Sequence, residues 1–305
     1  MLSIQPKRKA LLTGATGFIG GHLTRELLRA GWELHLIVLP QMGLGTIEEL
    51  HSEVLIYPHD GTTEQLLALV AQIEPDVVFH LASLFLVQHT PADIESLVRS
   101  NVLFATQLAE AMTRAGCWRL VNTGTSWEHF ENCDYNPVNL YAASKQAFEV
   151  MLDYYLATTP LQAITLKLFD TYGPNDPRPK LFTLLQKMVA GGEPLAMSPG
   201  EQLIDLVYID DIVRAFVMAA ERLLGNQVAG HERYAVSSGN PIALRELVEL
   251  YGRVVGKDLH IQWGGRPYRP REVMVPWNSG TTLPGWQPRV GLVEGIKLMD
   301  KTSEG

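Results

Sequence analysis

Short apolar runs alternate with longer amphipathic stretches along the first half of the chain. The runs predict buried strands at 10–12, 33–39, 54–57, 76–81, 118–122 and 163–169. The amphipathic stretches predict helices at 18–29, 63–73, 94–115 and 141–156. Because strands and helices alternate in this order, we expect an α/β fold built on a doubly wound parallel sheet.

The pattern becomes less regular after Tyr172. Proline and glycine are dense from 173 to 288, beginning with the loop from Gly173 to Pro179. We therefore predict a first domain over 1–172 and a smaller, irregular, substrate-binding domain over 173–305. A strand and a helix within 206–222 interrupt the second part, and we expect them to return to the first domain.

A glycine-rich turn joins the first predicted strand to the first predicted helix. Gly14 can adopt a tight turn, and Gly20 lets the helix lie close to its strand. Gly17 has no side chain to hold a pyrophosphate away from the backbone, and the helix N-terminus favours bound phosphate. The turn predicts a dinucleotide site, although the same spacing also occurs in ordinary strand-to-helix turns.

Composition excludes several classes of function. The net charge of −8 argues against a general nucleic-acid or anionic-membrane surface. The two cysteines, Cys117 and Cys133, imply no disulfide framework and favour a reducing compartment. No apolar run approaches the ~20 residues of a membrane span, and no signal peptide is evident. The nine histidines lack ligand spacing, so we predict no metal site. The expected reducing compartment leads us to predict a cytoplasmic protein.

Tyr141 and Lys145 are four residues apart in a predicted helix, which places them on one face, one turn from each other. An ammonium close to a phenol favours the phenolate and lowers the pKa of the tyrosine. Such a tyrosine can exchange a proton with a carbonyl or alcohol oxygen. The alternative interpretation is an ordinary exposed pair, because this spacing is common by chance.

A hydroxyl pair follows the fifth predicted strand. Thr125 and Ser126 come just after Asn122, and ligands bind outside the carboxyl ends of strands in a doubly wound sheet. Either hydroxyl could therefore reach a bound substrate, whereas capping or solvation of a turn is the alternative. An active site is indicated by three features that occur in this order along the chain: the glycine turn, the hydroxyl pair and the tyrosine–lysine pair.

With these motifs the chain resembles the extended short-chain dehydrogenase/reductase family of nucleotide-sugar epimerases, dehydratases and reductases. The resemblance covers nearly the whole chain, including Val207–Asp211 and Leu283–Pro288 in the second half. It implies that Tyr141 and Lys145 are catalytic, together with Thr125. It further implies a cofactor site formed by Gly14, Thr16, Gly17, Phe18, Ile19, Asp60, Leu81, Ala82, Asn101, Tyr141, Lys145, Phe169 and Thr171.

Some positions depart from the family pattern. Trp127-Glu128-His129 follows the hydroxyl pair, which leaves Thr125 preferred over Ser126 without deciding between them. Leu203 and Ile204 stand where the family often carries an arginine. Leu39-Pro40-Gln41, after the second strand, offers neither the acid typical of NAD sites nor the arginine typical of NADP sites. The choice between NAD and NADP therefore stays open.

The branch that the chain resembles most reduces CDP- or dTDP-4-keto-6-deoxyhexoses. This implies a nucleotide-diphosphate sugar as substrate, NADPH or NADH as hydride donor, and a homodimer formed through the helices at 94–115 and 141–156. We expect Ser126, Lys180 and Arg271 to bind the substrate, the two cations at its diphosphate. A 4-epimerase with tightly bound NAD is the first alternative. A non-catalytic NAD(P)-sensing protein is the second, although such proteins typically lack the tyrosine–lysine pair.

Overall fold

The computed structural model describes residues 7–39, 43–191 and 193–303. In its first half the helices and strands are β1 Lys9–Thr13, α1 Phe18–Arg29, β2 Glu33–Val38, β3 Leu55–Pro58, α2 Thr63–Ile73, β4 Val77–His80, α3 Ile94–Val98, α4 Phe104–Arg114, β5 Arg119–Thr125, α5 Leu140–Thr158 and β6 Gln162–Leu168. They are followed by β7 Asp170–Tyr172, α6 Leu181–Val189, β8 Leu195–Met197, β9 Leu203–Ile204, β10 Leu206–Tyr208, α7 Ile209–Leu224, β11 His231–Val236, β12 Ile242–Ala243, α8 Leu244–Val255, β13 Ile261–Trp263 and α9 Leu292–Ser303.

A seven-stranded sheet in the order β11-β6-β5-β4-β1-β2-β3 joins the strands β1 to β6 of the first half of the protein with β11 of the second half. β1 pairs in parallel with β2 and β4, and β4 pairs in parallel with β5. β4 is buried along its whole length, as expected of a parallel strand covered by helices on both faces. The predicted α/β fold with a doubly wound, Rossmann-type sheet is therefore confirmed.

The hydrophobic core beside the sheet is formed by apolar side chains from both strands and helices. Leu11 of β1, Val78 of β4 and Leu120 of β5 pack with Met112 of α4 and Phe148 of α5. The helices stay in place because their apolar stripes, spaced at the helical period, bury against the strand residues. This packing fixes where the strands end, and hence where the loops that follow them emerge.

The predicted helix at 94–115 is interrupted. The structure divides it into α3, a π-helical turn at Arg99–Leu103, and α4. The π turn turns Asn101 into the protein, where its amide is fully buried. The fifth strand also runs further than predicted, because it continues through Thr125 rather than ending at Asn122.

The chain forms two compact units. The first comprises 1–125, 139–167 and 213–234, and the second comprises 126–138, 168–212 and 235–305. In the second unit β7 pairs with β10, β8 with β13 and β9 with β12. The compact units are made of segments that alternate along the chain. The predicted domain boundary between 172 and 173 therefore stays a prediction. Of the predicted returning segment at 206–222, the part from Val213 onward lies in the first unit.

Candidate active site

The glycine turn of the first unit is tightly packed at two of its glycines. Gly14 has a φ of +78°, and a Cβ there would lie 2.5 Å from the backbone nitrogen of Ala82. A Cβ on Gly20 would lie 2.1 Å from the carbonyl oxygen of Gly14. Both positions exclude a side chain, so α1 starts directly against the end of β1.

Gly17 is different, because the protein itself does not require a glycine there. Its φ is −83°, and the only atom within 4 Å of an added Cβ is the Gly14 carbonyl oxygen at 3.4 Å. Gly17 precedes α1, whose N-terminus has no side-chain cap and no acidic residue in its first turn. An anionic group that approaches this backbone closely explains both features.

A short 3-10 helix, Gly45–Leu50, supports the turn from outside and was not predicted. The Thr46 hydroxyl lies 3.2 Å from the Thr16 carbonyl oxygen and 3.1 Å from that of Gly17, and donates to them. Of the other predicted loop residues, Phe18 is buried and Ile19 is half-buried in the first turn of α1. The turn is thus held by hydrogen bonds before any ligand arrives.

Three further predicted cofactor residues of the first unit, Asp60, Leu81 and Ala82, follow β3 and β4. Asp60 is exposed after β3, and its Oδ1 accepts hydrogen bonds from the nitrogen and the hydroxyl of Thr62, which lower the pKa of the carboxyl. The nitrogen of Leu81 donates to the Thr13 carbonyl at 3.1 Å, and that of Ala82 to the Thr13 hydroxyl at 3.3 Å. Pro40 and Gln41, which bear on the choice between NAD and NADP, lie outside the described residues.

The tyrosine–lysine pair lies at the start of α5. Asn139 caps this helix by accepting from the Ala142 nitrogen at 2.9 Å. Tyr141 and Lys145 are one turn apart and only 9% and 2% exposed. The Tyr141 ring packs edge-on against Phe85, with 4.9 Å between the ring centroids. A lysine this buried on the same turn as a buried tyrosine is not an ordinary surface pair.

Asn101 holds this helical turn in place. Its Nδ2 donates to the Ser144 hydroxyl at 2.9 Å and to the Leu84 carbonyl at 3.0 Å. Its Oδ1 accepts from the Leu84 nitrogen at 2.7 Å, and Ser144 in turn donates to the Tyr141 carbonyl at 2.7 Å. Asn101 therefore ties the loop after β4 to the turn that carries Tyr141 and Lys145. Its direct contact with a cofactor stays a prediction.

The hydroxyl pair lies where the chain passes from one unit to the other. Thr125 is the last residue of β5 in the first unit, and Ser126 opens the second; both are buried. Ser126 lines a pocket in the second unit with about 680 Å³ of empty space, part of it open to solvent. The pocket is otherwise lined by Trp127, His129, Phe130, Val138, Phe169, Asp170, Gln202, Leu203, Ile204, Asp205, Arg269, Glu272, Val273, Pro276 and Trp277.

An aromatic stack forms one wall of this pocket. The His129 ring stacks on Trp277 with 3.9 Å between centroids, and Phe169 lies parallel to Trp277 at 6.2 Å. Leu203 and Ile204 add aliphatic surface at the positions where the family often has arginine. The wall is suited to the apolar face of a sugar or to a base, because flat rings bury both well.

Two charged groups of the pocket have partners within the protein. The Arg269 guanidinium forms a two-pronged ion pair with Glu272, at 2.9 and 2.6 Å. Asp205 accepts from the Ser237 hydroxyl at 2.6 Å and from the Ser238 nitrogen at 2.8 Å. Both side chains are therefore held by contacts within the second unit.

The two predicted diphosphate cations also have partners within the protein. The Lys180 Nζ lies 3.3 Å from the carboxylate of Asp170, a pocket residue. Arg271 is exposed, has a left-handed φ of +58°, lies over the Phe130 ring at 4.3 Å and bonds to Asn136. Thr171, predicted at the cofactor, is buried in β7 and donates to the Phe169 carbonyl at 3.3 Å. Among the described residues, no three His, Cys, Asp or Glu side chains form a group that could hold a metal ion.

Several residues that shape the site escaped the sequence analysis. Asn139 could have been found, since an asparagine just before a helix is a standard N-cap. Ser144, Phe85 and Thr46 gave no signal, because each acts through a contact with a residue distant in sequence.

None of the described helices is long and apolar enough to cross a membrane.

Comparisons with known proteins agree with this geometry. The family model described as "NAD dependent epimerase/dehydratase family" matches residues 10–231, which contain the glycine turn and the tyrosine–lysine pair. The chain belongs to this family. Membership agrees with the resemblance drawn from the motifs, and it makes the protein an enzyme of the extended short-chain dehydrogenase/reductase type.

Individual relatives are similar over nearly their full length. The UDP-glucose 4-epimerase of Mycolicibacterium smegmatis is 30% identical over 94% of this chain and 96% of its own. The CDP-abequose synthase of Yersinia pseudotuberculosis is 28% identical over 88% of this chain and 91% of its own. The structure of Thermus thermophilus UDP-glucose 4-epimerase in complex with NAD aligns with a TM-score of 0.81 at 26% identity, covering 97% of this chain and 99% of that one.

Proposed function

We propose that this protein is an NAD(P)-dependent reductase acting on the 4-keto group of a CDP- or dTDP-4-keto-6-deoxyhexose. The observation that carries the proposal is the buried pair of Tyr141 and Lys145 in the same unit as the glycine turn. Similarity to a CDP-abequose synthase over most of both chains supports this branch of the family.

The glycine turn fits a nicotinamide dinucleotide. Gly17 and the uncapped N-terminus of α1 would hold the pyrophosphate, and Asp60 would meet the adenine nucleoside. Bound there, the reduced cofactor supplies the hydride. Thr16, Phe18, Ile19, Leu81, Ala82, Asn101, Phe169 and Thr171 would complete the cofactor site.

Tyr141 would give its phenolic proton to the oxygen that becomes an alcohol when the ketone is reduced. Lys145 would bind the nicotinamide ribose and favour the phenolate, because its positive charge lies one turn away. Thr125, with Ser126 as the alternative, would donate a hydrogen bond to the carbonyl oxygen and stabilise the developing charge. The same hydroxyl would orient the sugar.

The pocket of the second unit would bind the sugar nucleotide. Its aliphatic wall at Leu203 and Ile204 suits the methyl group of a 6-deoxyhexose better than a carboxylate. Lys180 and Arg271 would bind the diphosphate, because cationic side chains suit phosphate oxygens.

A substrate panel tests the proposal. Loss of absorbance at the reduced-nicotinamide band is followed with CDP-, dTDP-, GDP- and UDP-4-keto-6-deoxyhexoses, each with NADH and with NADPH. We expect turnover with the CDP or dTDP compound, and the better of the two cofactors identifies NAD or NADP. Turnover confined to UDP sugars, or absent throughout, contradicts the proposal.

A UDP-glucose 4-epimerase is the second candidate, supported by the 30% identity to the Mycolicibacterium smegmatis enzyme. An epimerase regenerates its cofactor in each cycle. Purified protein that retains NAD and interconverts UDP-sugars without added cofactor would favour it. Cofactor binding with no turnover on any sugar nucleotide would favour a non-catalytic sensing protein.

A homodimer is proposed for the same enzyme. Large apolar side chains are exposed on α3 and the following π turn, and again on α5, two segments that pack together. They are Ile94, Val98, Leu103, Val150, Met151 and Tyr154, here called the apolar face. A second copy of the chain would cover this face, which a cytoplasmic enzyme would otherwise leave in water.

A further inference from the structure

A row of polar side chains crosses the sheet of the first unit. The adjacent strands β1, β4, β5, β6 and β11 each contribute one member. The members, here called the polar row, are Thr13, His80, Asn122, Thr165 and His231. Thr13 is the register partner of His80, and His80 is the register partner of Asn122, so these side chains lie on one face.

Hydrogen bonds join most neighbours in the polar row. The Thr13 hydroxyl lies 2.8 Å from Nδ1 of His80, and the Asn122 Nδ2 lies 3.1 Å from the Thr165 hydroxyl. The Thr165 hydroxyl in turn lies 2.8 Å from Nε2 of His231. Such a row is unusual in a parallel sheet, whose interior is normally apolar.

The groups at the two ends of the row bear on the direction of these bonds. At one end the Ala82 backbone nitrogen donates to the Thr13 hydroxyl, and a backbone nitrogen can only donate. At the other end Nδ1 of His231 lies 3.1 Å from the carboxylate of Asp153, which can only accept. A neutral His231 that donates from Nδ1 accepts at Nε2, so Thr165 donates to His231. The Thr13 hydroxyl accepts from Ala82 and still has its own proton, which we assign to the bond with Nδ1 of His80.

One link is open in the middle of the row. Nε2 of His80 and Oδ1 of Asn122 are both buried polar atoms that have no hydrogen-bond partner among the residues that the structure describes. With Nδ1 of His80 accepting from Thr13, the proton of a neutral imidazole is on Nε2, which makes Nε2 a donor. Oδ1 of Asn122 is an acceptor. An unsatisfied buried donor and an unsatisfied buried acceptor thus lie at register partners on neighbouring strands. Paired strands are spaced about 4.8 Å apart.

We propose that Nε2–H of His80 donates to Oδ1 of Asn122 through at most one buried water, which completes a one-way hydrogen-bond chain from Ala82 to Asp153. His80 is then a positioning residue for the glycine turn, because it fixes Thr13 next to Gly14. The positioning role rests on the proposed cofactor site, whereas the hydrogen-bond chain does not.

The surroundings of His80 favour the neutral ring that the chain requires. Its ring is fully buried between Phe104 and Phe148. Burial, together with the positive charge of Lys145, lowers the pKa of His80 to about 3. Burial likewise lowers the pKa of His231, so both imidazoles are neutral at pH 7.

The first test reads the imidazole directly. In the whole protein labelled with ¹⁵N-histidine, long-range ¹H–¹⁵N spectra distinguish the two tautomers, and the His80 signal is assigned from its loss in H80F. We expect the Nε2–H tautomer at pH 7. The Nδ1–H tautomer or a charged ring would overturn the proposal.

The second test measures whether His80 and Asn122 are coupled. Each single variant, H80F or N122L, leaves the polar atom of the partner without its hydrogen bond. We therefore expect the unfolding equilibrium constant of the double variant to differ about tenfold from the value predicted if the two changes acted independently. The control pair is H80F with T24V, a buried threonine bonded to the Gly20 carbonyl, whose effects should multiply. Independent effects for His80 and Asn122 would overturn the proposal.

The positioning role has its own readout. In H80N the amide oxygen can replace Nδ1 and accept from Thr13, whereas in H80Q the amide lies at the Nε2 position. We expect H80N to keep the affinity for NAD(P)H within about threefold and H80Q to lose about tenfold. Equal or reversed losses overturn this role. If the wild type binds no NAD(P)H, the proposed function fails. The tautomer of His80 and its coupling to Asn122 then still test the hydrogen-bond chain.

Discussion

Replacing Gly17 by alanine should separate folding from cofactor binding. The added Cβ meets only the Gly14 carbonyl oxygen, at 3.4 Å, and the φ of −83° is open to alanine. Alanine is a poorer N-cap than glycine, by roughly 0.5–1 kcal/mol. Alanine also reduces the entropy of the unfolded chain, which stabilises by about 0.4–1 kcal/mol. These effects offset each other, so the free energy of unfolding should change by less than about 0.5 kcal/mol.

Cofactor binding should respond strongly to the same change. The methyl group would stand where the pyrophosphate approaches the backbone, and a hydrogen bond to a charged group contributes about 1.5–3 kcal/mol. Loss of one or two such bonds corresponds to a Kd for NAD(P)H raised about 10²-fold. Gly20→Ala, whose Cβ would overlap the Gly14 carbonyl oxygen at 2.1 Å, should instead lose both stability and affinity.

The assay combines urea denaturation with titration of NAD(P)H by fluorescence. Gly291→Ala is the matched control, because this glycine also precedes a helix, α9, and nothing lies within 4 Å of its added Cβ. The control should leave stability and affinity unchanged. Wild-type affinity in Gly17→Ala, or a loss of stability as large as in Gly20→Ala, would refute the reasoning.

Further predictions concern the buried charges and the apolar face. Glu149→Gln should cost about 3–5 kcal/mol in unfolding free energy, because it removes the charge of the carboxylate that lies 2.5 Å from the buried Lys167 ammonium. Asp153→Asn, at a half-exposed site, should cost under about 1 kcal/mol in the same urea titration. The pKa of His80, about 3, lies below its ordinary value, so between pH 6.5 and 3 the unfolded chain binds a proton that the folded chain does not. Stability should therefore fall as the pH falls through this window, by up to about 1.4 kcal/mol per pH unit, and H80F should lack this component; identical pH slopes would contradict the burial of the ring. Val150→Glu on the apolar face should shift the protein toward monomer in light scattering, whereas Val293→Glu, equally apolar but on α9, should not; a wild type that is monomeric at all concentrations excludes the dimer.

Local patterns in the sequence were enough for the sheet, most of the helices and the glycine turn. Periodicity depends on neighbouring residues, so the bounds of α2 follow directly from it. The π turn at Arg99–Leu103 could not be found in this way, because an apolar stripe continues through it. The sequence placed Asn101 on a helix but could not show that its partner is Ser144, forty-three residues later.

Contacts between distant strands were also beyond the sequence. The polar row depends on strand register, and each of its members taken alone is an ordinary polar residue in a strand. The same holds for the wall of the pocket, where His129 stacks on Trp277 although the two are far apart in the chain. Their stacking is decided by tertiary packing.

The central claim is that Tyr141, next to Lys145, passes the proton while a ketone is reduced. Its most direct test is the rate of NAD(P)H oxidation by Tyr141→Phe with a CDP- or dTDP-4-keto-6-deoxyhexose, next to Tyr154→Phe, an exposed tyrosine on the same helix. We predict that Tyr141→Phe binds the cofactor normally and loses turnover about 10²–10⁴-fold, while Tyr154→Phe stays near the wild-type rate. Turnover by Tyr141→Phe at the wild-type rate would contradict the account.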